Sequence, residues 1–191
     1  MANDTKSRVI EAAKPLFAKY GFKKTSVQDI ARAAHVAKGA MYYYFKSKDE
    51  VFEAIVHDEL STLWNRVIEA VNAVTTPEEK IRSFVLTRMK ETERLLNAFA
   101  ALENEEIEHL GFIDEVRRRA LKQQTGVVAG ILEDGIEGGV FRRLDSKAVA
   151  EMMILALAAL DQLRREGRSW KETSKRLDEM LGMLFDGIRS K

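Results

Sequence analysis

Cysteine is absent from the 191 residues, which excludes a disulfide framework, a thiol nucleophile and every cysteine-ligated zinc or iron–sulfur site together. Proline occurs only twice and glycine eleven times. That scarcity, beside abundant Ala, Leu, Glu, Lys and Arg, reads as a nearly all-helical protein, and no segment reads as a strand. No run of about 18 apolar residues occurs. The N-terminus MANDTKSRVIEAAK lacks the apolar stretch and small-residue cleavage site of a signal peptide. The expectation is therefore a soluble cytoplasmic protein with no membrane partner. The three histidines, His35, His57 and His109, are scattered, with no HExxH pair, phosphate loop or GxSxG elbow. Catalysis, a metal and a cofactor all drop out of the expectation.

What is present is enough for a real core, since 46% of residues are hydrophobic. The net charge of +1 hides an asymmetry: the first fifty residues hold ten Lys/Arg against five Asp/Glu, and the remainder holds 21 against 25. A polyanion-binding module joined to a mildly acidic body produces that pattern.

Hydrophobic periodicity divides the chain into about nine helices. The first carries Val9, Ala13, Leu16, Phe17 and Tyr20 and is closed by Gly21, with a bend expected at Pro15. Ser26 can cap a second, short helix with Asp29 three residues on, and His35-Val36 makes a tight turn. A third short helix runs from about Ala37 to Tyr44, and Lys46-Ser47 opens a long fourth one. Thr76-Pro77-Glu78-Glu79 is a capping box with proline at the first helical position, and its helix should reach about Asn97. A sixth helix is expected over Phe99 to His109, a seventh from Ile113 to the Gly135–Gly139 region, an eighth from Asp145 to Gly167. A ninth opens on the box Ser169-Trp170-Lys171-Glu172 and buries Leu177, Leu181, Leu184, Phe185 and Ile188.

Two short helices across a tight turn, behind a longer helix and among many cations, meet the requirement for laying one helix in the DNA major groove. The run from Ile10 to Phe52, with AAKPLFAKYGF, TSVQDIARAAHV and AKGAMYYYFKSKDEVF, closely resembles the TetR family of regulators. Beyond it the resemblance extends only to helix number and the GVFRRLD link before the eighth helix. It implies residues 1–50 as a three-helix helix-turn-helix domain and 51–191 as a helical ligand-binding and dimerisation domain. It also implies a sequence-specific transcription regulator, usually a repressor, released from a palindromic operator by a small-molecule effector.

Ile30, Ala31, Val36, Met41 and Phe45 look like the small core of the motif, which leaves Thr25, Ser26, Gln28, Lys38, Gly39, Ala40, Tyr42, Tyr43, Tyr44 and Lys48 for a DNA face. Thr25 and Ser26 stand where a helix N-terminus can offer hydroxyls and amides to phosphate, and Lys48 can do the same at the fourth helix. Tyr42 matches the family's phosphate-contacting tyrosine. Lys38 can reach guanine O6 or N7, and Gln28 can pair with an adenine edge. Ala40 and Tyr44 depart from the family pattern, which has Thr or Ser and His there. Tyr44 can stack, bond a phosphate or only pack.

For the body, the resemblance implies that the eighth and ninth helices pair with their copies in a homodimer, and Met152, Leu155, Leu177, Leu181, Leu184 and Phe185 are the candidate contacts. It also implies an effector cavity, with Trp64, Phe84, Arg88, Phe99, Leu102, Phe112 and Val128 as candidates. Arg88 can meet an anionic head group or form a surface ion pair. The acidic run Glu103, Glu105, Glu106 and Glu108 reads as a solvated face or an attraction for a cationic ligand. The competing function is a DNA-organising or partner-binding protein of the same fold without an effector.

Overall fold

The computed structural model describes residues 2–99, 110–165 and 170–190, with side chains for 5–99, 110–162 and 173–190. Among the described residues the architecture is all-helical, with eight helices: α1 (Ala2–Lys24), α2 (Val27–Ala33), α3 (Lys38–Tyr44), α4 (Lys48–Asn72), α5 (Pro77–Ala98), α6 (Ile113–Glu137), α7 (Ser146–Arg165) and α8 (Trp170–Ile188). One isolated antiparallel bridge joins Phe141 and Arg189. None of these helices is long and apolar enough to cross a membrane. Phe99 sits in a turn after α5. The rest of the expected sixth helix, with Leu102, the acidic run and His109, lies outside the described residues, as do Gly167 and Ser169.

Local chemistry explains where the helices start. Ser26 Oγ accepts from the Asp29 N–H at 3.2 Å while the Asp29 carboxylate accepts from the Ser26 N–H, a complete capping box. The same reciprocal pair forms between Thr76 and Glu79, with Pro77 as the first residue of α5. Asp145 Oδ1 accepts from Ala148 N–H ahead of α7. Inside α1 the non-helical residue is Gly21, at φ 78°, rather than Pro15, so the break falls at the expected cap and the three residues after it resume helical pairing.

The chain forms two compact units, Met1–Thr62 with Glu93–Val116, and Leu63–Thr92 with Arg117–Lys191. In the first, Val9, Phe17, Ile30, Met41, Phe45, Phe52 and Ile55 build a closed core, and Phe17, Phe22 and Phe52 pack ring against ring at 5.3–5.6 Å. Lys14 ties α1 to α4 through Asp58 at 2.6 Å and Glu59 at 3.0 Å. Burial opposes its charge, but hydrogen bonds to Asp58, Glu11 and Glu59 outweigh that and hold the ammonium protonated well above the usual 10.5. The second unit has its own core, with Phe84, Met89, Val128, Leu132, Phe141, Ile154, Leu157 and Leu177 at its centre.

The turn between α2 and α3 sets the angle at which α3 leaves. Val36 N–H reaches back to Ala31 O at 3.0 Å and His35 N–H to Arg32 O at 3.1 Å, the bonding of a helix ended by a left-handed residue. That residue is His35, at φ 54°, where glycine is usual. Arg8 of α1 holds the corner by donating to Ala34 O at 2.7 Å and to His35 O at 3.3 Å. His35→Gly is expected to raise stability by about 0.5–1 kcal/mol, read as a higher denaturant midpoint. A lower midpoint would mean that the imidazole holds the turn.

Candidate DNA interface

α3 is seven residues long, and only Met41 on it is fully buried. Phe45, just past its end, is buried too, and Tyr44 is half-buried against the same core. These residues anchor one side of the helix, so Lys38, Gly39, Ala40, Tyr42 and Tyr43 all face solvent. Tyr43 is 82% exposed and stands edge-on to Tyr44 at 5.0 Å, while the Lys38 ammonium lies 6.0 Å from the Tyr42 ring centroid. A tyrosine this exposed leaves a large apolar ring in water that none of the described residues covers. Of Tyr44's three options in the sequence, packing is the one the free protein uses.

Gly39 is the second residue of this exposed helix, and a Cβ there would meet nothing within 4 Å. Glycine is a poorer helix former than alanine by up to about 1 kcal/mol, and among the described residues no neighbour requires it here.

The residues flanking α3 divide differently from the sequence expectation. Gln28 and Ser26 are exposed. The Ser26 hydroxyl is engaged with Asp29, 2.5 Å from Oδ2, and the Ser26 hydroxyl and N–H hold the Asp29 carboxyl below its usual 3.8. This capping arrangement is complete above that range and is lost as pH falls through it. Thr25 is buried, and its hydroxyl donates to Gly21 O at 2.8 Å. That corrects the expectation of a Thr25 hydroxyl offered to phosphate, because the break at Gly21 leaves a carbonyl that the hydroxyl satisfies. Lys48 donates to Phe22 O at 2.7 Å and lies 4.2 Å from the Phe22 ring centroid, so its ammonium also serves the end of α1.

A family model described as bacterial regulatory proteins, tetR family, matches residues 9–55, the span that contains this turn and α3. The chain is 29% identical over 160 residues to an HTH-type transcriptional repressor, KstR2, of Mycolicibacterium smegmatis, covering 74% of this chain and 73% of that one. It is 26% identical over 195 residues to the fatty acid metabolism regulator protein of Bacillus subtilis, covering 96% and 95%. A crystal structure of a transcriptional regulator from Cytophaga hutchinsonii superposes with a TM-score of 0.81 at 22% identity, over 95% of this chain and 97% of that one. The chain is similar to the TetR family over residues 9–55. It is a DNA-binding transcriptional regulator, and the relatives it matches are regulators rather than enzymes.

The other residues expected from TetR resemblance fall into separate places. Trp64, Phe84, Arg88 and Val128 lie in the second unit, where the Trp64 and Phe84 rings are 6.4 Å apart. Phe99 and Phe112 lie in the first unit and pack against its core. Arg88 is not on the surface: it is buried, with Nη1 2.5 Å from Asp161 Oδ2 and Nε donating to Gln124 Oε1 at 3.0 Å.

The dimerisation candidates also need correcting. Leu177, Leu181 and Phe185 are instead buried among the core residues of their own unit, which leaves them little surface to offer. Leu184 is half-buried. Met152 and Leu155 do face outward from α7, at 73% and 58% exposure, and Met183 of α8, absent from the sequence expectation, is 70% exposed. The signal for Met183 was a second stripe, Met180, Met183 and Gly187 at helical spacing, beside the better-filled one that buries Leu177, Leu181 and Phe185.

Proposed function

We propose that α3 is the recognition helix of an operator-binding repressor that acts as a homodimer and leaves its operator when a small molecule binds the helical body. The observation that carries this reading is the outer face of α3, where exposed Lys38, Tyr42 and Tyr43 flank a glycine that no described neighbour requires. Lys38 and Gln28 read base edges. Tyr42, Tyr43 and Lys48 grip phosphate and sugar, with Thr25 shaping the backbone before α2 and Ser26 capping it. Ala40 offers a methyl that can touch thymine. Met152, Leu155 and Met183 form the centre of the dimer face, and two-fold symmetry then presents two copies of α3 about 34–36 Å apart, one turn of the duplex. Sedimentation of the free protein as a dimer is the companion check.

The test is selection of bound sequences from random duplexes, followed by salt titration of the selected site. A palindromic site whose affinity falls steeply with salt supports the reading. Lys48→Ala is expected to weaken every sequence alike and flatten the salt slope, whereas Lys38→Ala is expected to relax one base position of the selected motif. An unchanged motif for Lys38→Ala removes that residue as a reader. Gly39→Ala is expected to leave the fold intact, or raise its stability by up to about 1 kcal/mol, while weakening operator binding at least several-fold. Full operator affinity in that variant would show that nothing approaches the α3 backbone.

A further inference from the structure

The second unit carries a polar layer inside its apolar core. Arg88 on α5, Thr125 on α6, Asp161 on α7 and Thr173 on α8 are all buried, each three or four residues from a core apolar position of its own helix. Arg88 links the layer, through Gln124 on α6 and Asp161 on α7. The Thr125 side chain belongs to a residue only 7% exposed, yet among the described residues its hydroxyl has no hydrogen-bond partner. Arg88 Nη1 also makes no hydrogen bond of proper geometry, although Asp161 Oδ2 lies 2.5 Å from it. Buried polar groups are nearly always satisfied, and a donor left without an acceptor in an otherwise closed core marks a place where a missing molecule supplies one.

Charge decides what that molecule is. Arg88 is already neutralised by Asp161, and Arg66 by Glu91 at 2.6 Å, one helical turn further along α5. A carboxylate ligand would draw Arg88 away and leave Asp161 buried without its cation; an ammonium ligand would do the reverse. An uncharged oxygen disturbs neither pair.

We infer that this layer binds the polar end of a neutral amphiphile, an apolar molecule with an uncharged carbonyl-type oxygen that accepts from the Thr125 hydroxyl and the Arg88 guanidinium. The inference rests on the reading of the chain as an effector-responsive repressor and gives that effector its chemistry. The apolar residues around the layer, Phe84 and Val128 among them, take the hydrocarbon part.

Calorimetric titration of the full chain with medium- and long-chain 2-alkanones, the matching fatty carboxylates and the matching alkylamines tests it, with operator binding measured on the same samples. The ketones are expected to bind roughly tenfold or more tightly than either charged series and to release operator. Thr125→Val, which keeps shape and removes the hydroxyl, is expected to cut ketone affinity by roughly tenfold while the free protein melts no lower and still binds operator. Carboxylates binding as well as ketones, every ketone failing to bind, or ketone affinity intact in Thr125→Val would each overturn the inference; the last would mean that Thr125 holds only an ordered water. Wild-type protein that binds no operator would instead overturn the repressor reading.

Discussion

Asp161→Ala is expected to destabilise the folded chain by about 3–5 kcal/mol, the largest effect of any single substitution considered. The Arg88 and Asp161 side chains are 10% and 11% exposed, so the partner left behind is a guanidinium in a largely dry core. Its remaining side-chain acceptor, Gln124 Oε1, is neutral and cannot balance the charge. Much of the loss therefore comes from stranding Arg88 rather than from losing the attraction itself. The double variant Arg88→Met, Asp161→Leu removes both charges and keeps the volume, and it is expected to recover most of the stability. Urea unfolding of the three proteins decides the matter. A single variant within about 1 kcal/mol of wild type would mean that water reaches the pair.

Gly135→Ala is expected to cost about 1–3 kcal/mol. A Cβ at position 135 would fall on the Phe141 ring, within 2.5 Å of Cε2. Phe141 cannot easily step aside, since it is 1% exposed and its N–H is bonded to Gly135 O at 2.9 Å. Gly139, at φ 72°, turns the chain just before it, with Val140 N–H reaching back to the same Gly135 carbonyl. Gly126 and Gly130 on the same helix provide the contrast, because a Cβ at either meets nothing within 4 Å. Alanine at those two positions is expected to be neutral or stabilising by up to about 1 kcal/mol, so calorimetric melting should split the three variants by sign. Equal losses at all three would point to the helix backbone rather than to the ring.

The sequence announced most helix starts because a cap is chemistry over four residues: Ser26 with Asp29, Thr76 with Glu79, and Asp145 ahead of α7 all do what their spacing implies. The outer face of α3 was readable for the same reason, since Met41 and Phe45 define the inner side. Long-range packing was not readable. Leu177, Leu181 and Phe185 have the period of a buried face, but period does not say whether the surface they meet belongs to the same chain. Arg88 carries no local mark of burial, because its partners Gln124 and Asp161 lie 36 and 73 positions away in the sequence. Thr25 resembles an exposed cap in one dimension and is withdrawn only by the carbonyl that the break at Gly21 exposes.

Because Met41, Tyr44 and the adjoining Phe45 are what fasten α3 among the described residues, its outer side chains are almost decoupled from folding. Substitutions at Lys38, Ala40, Tyr42 or Tyr43 leave the core of the first unit untouched. A duplicated copy of such a gene can therefore drift toward a new operator one base contact at a time, without passing through unstable intermediates. The two positions that break the family pattern are consistent with that freedom: Ala40 is exposed, and Tyr44 lies at the edge between solvent and core.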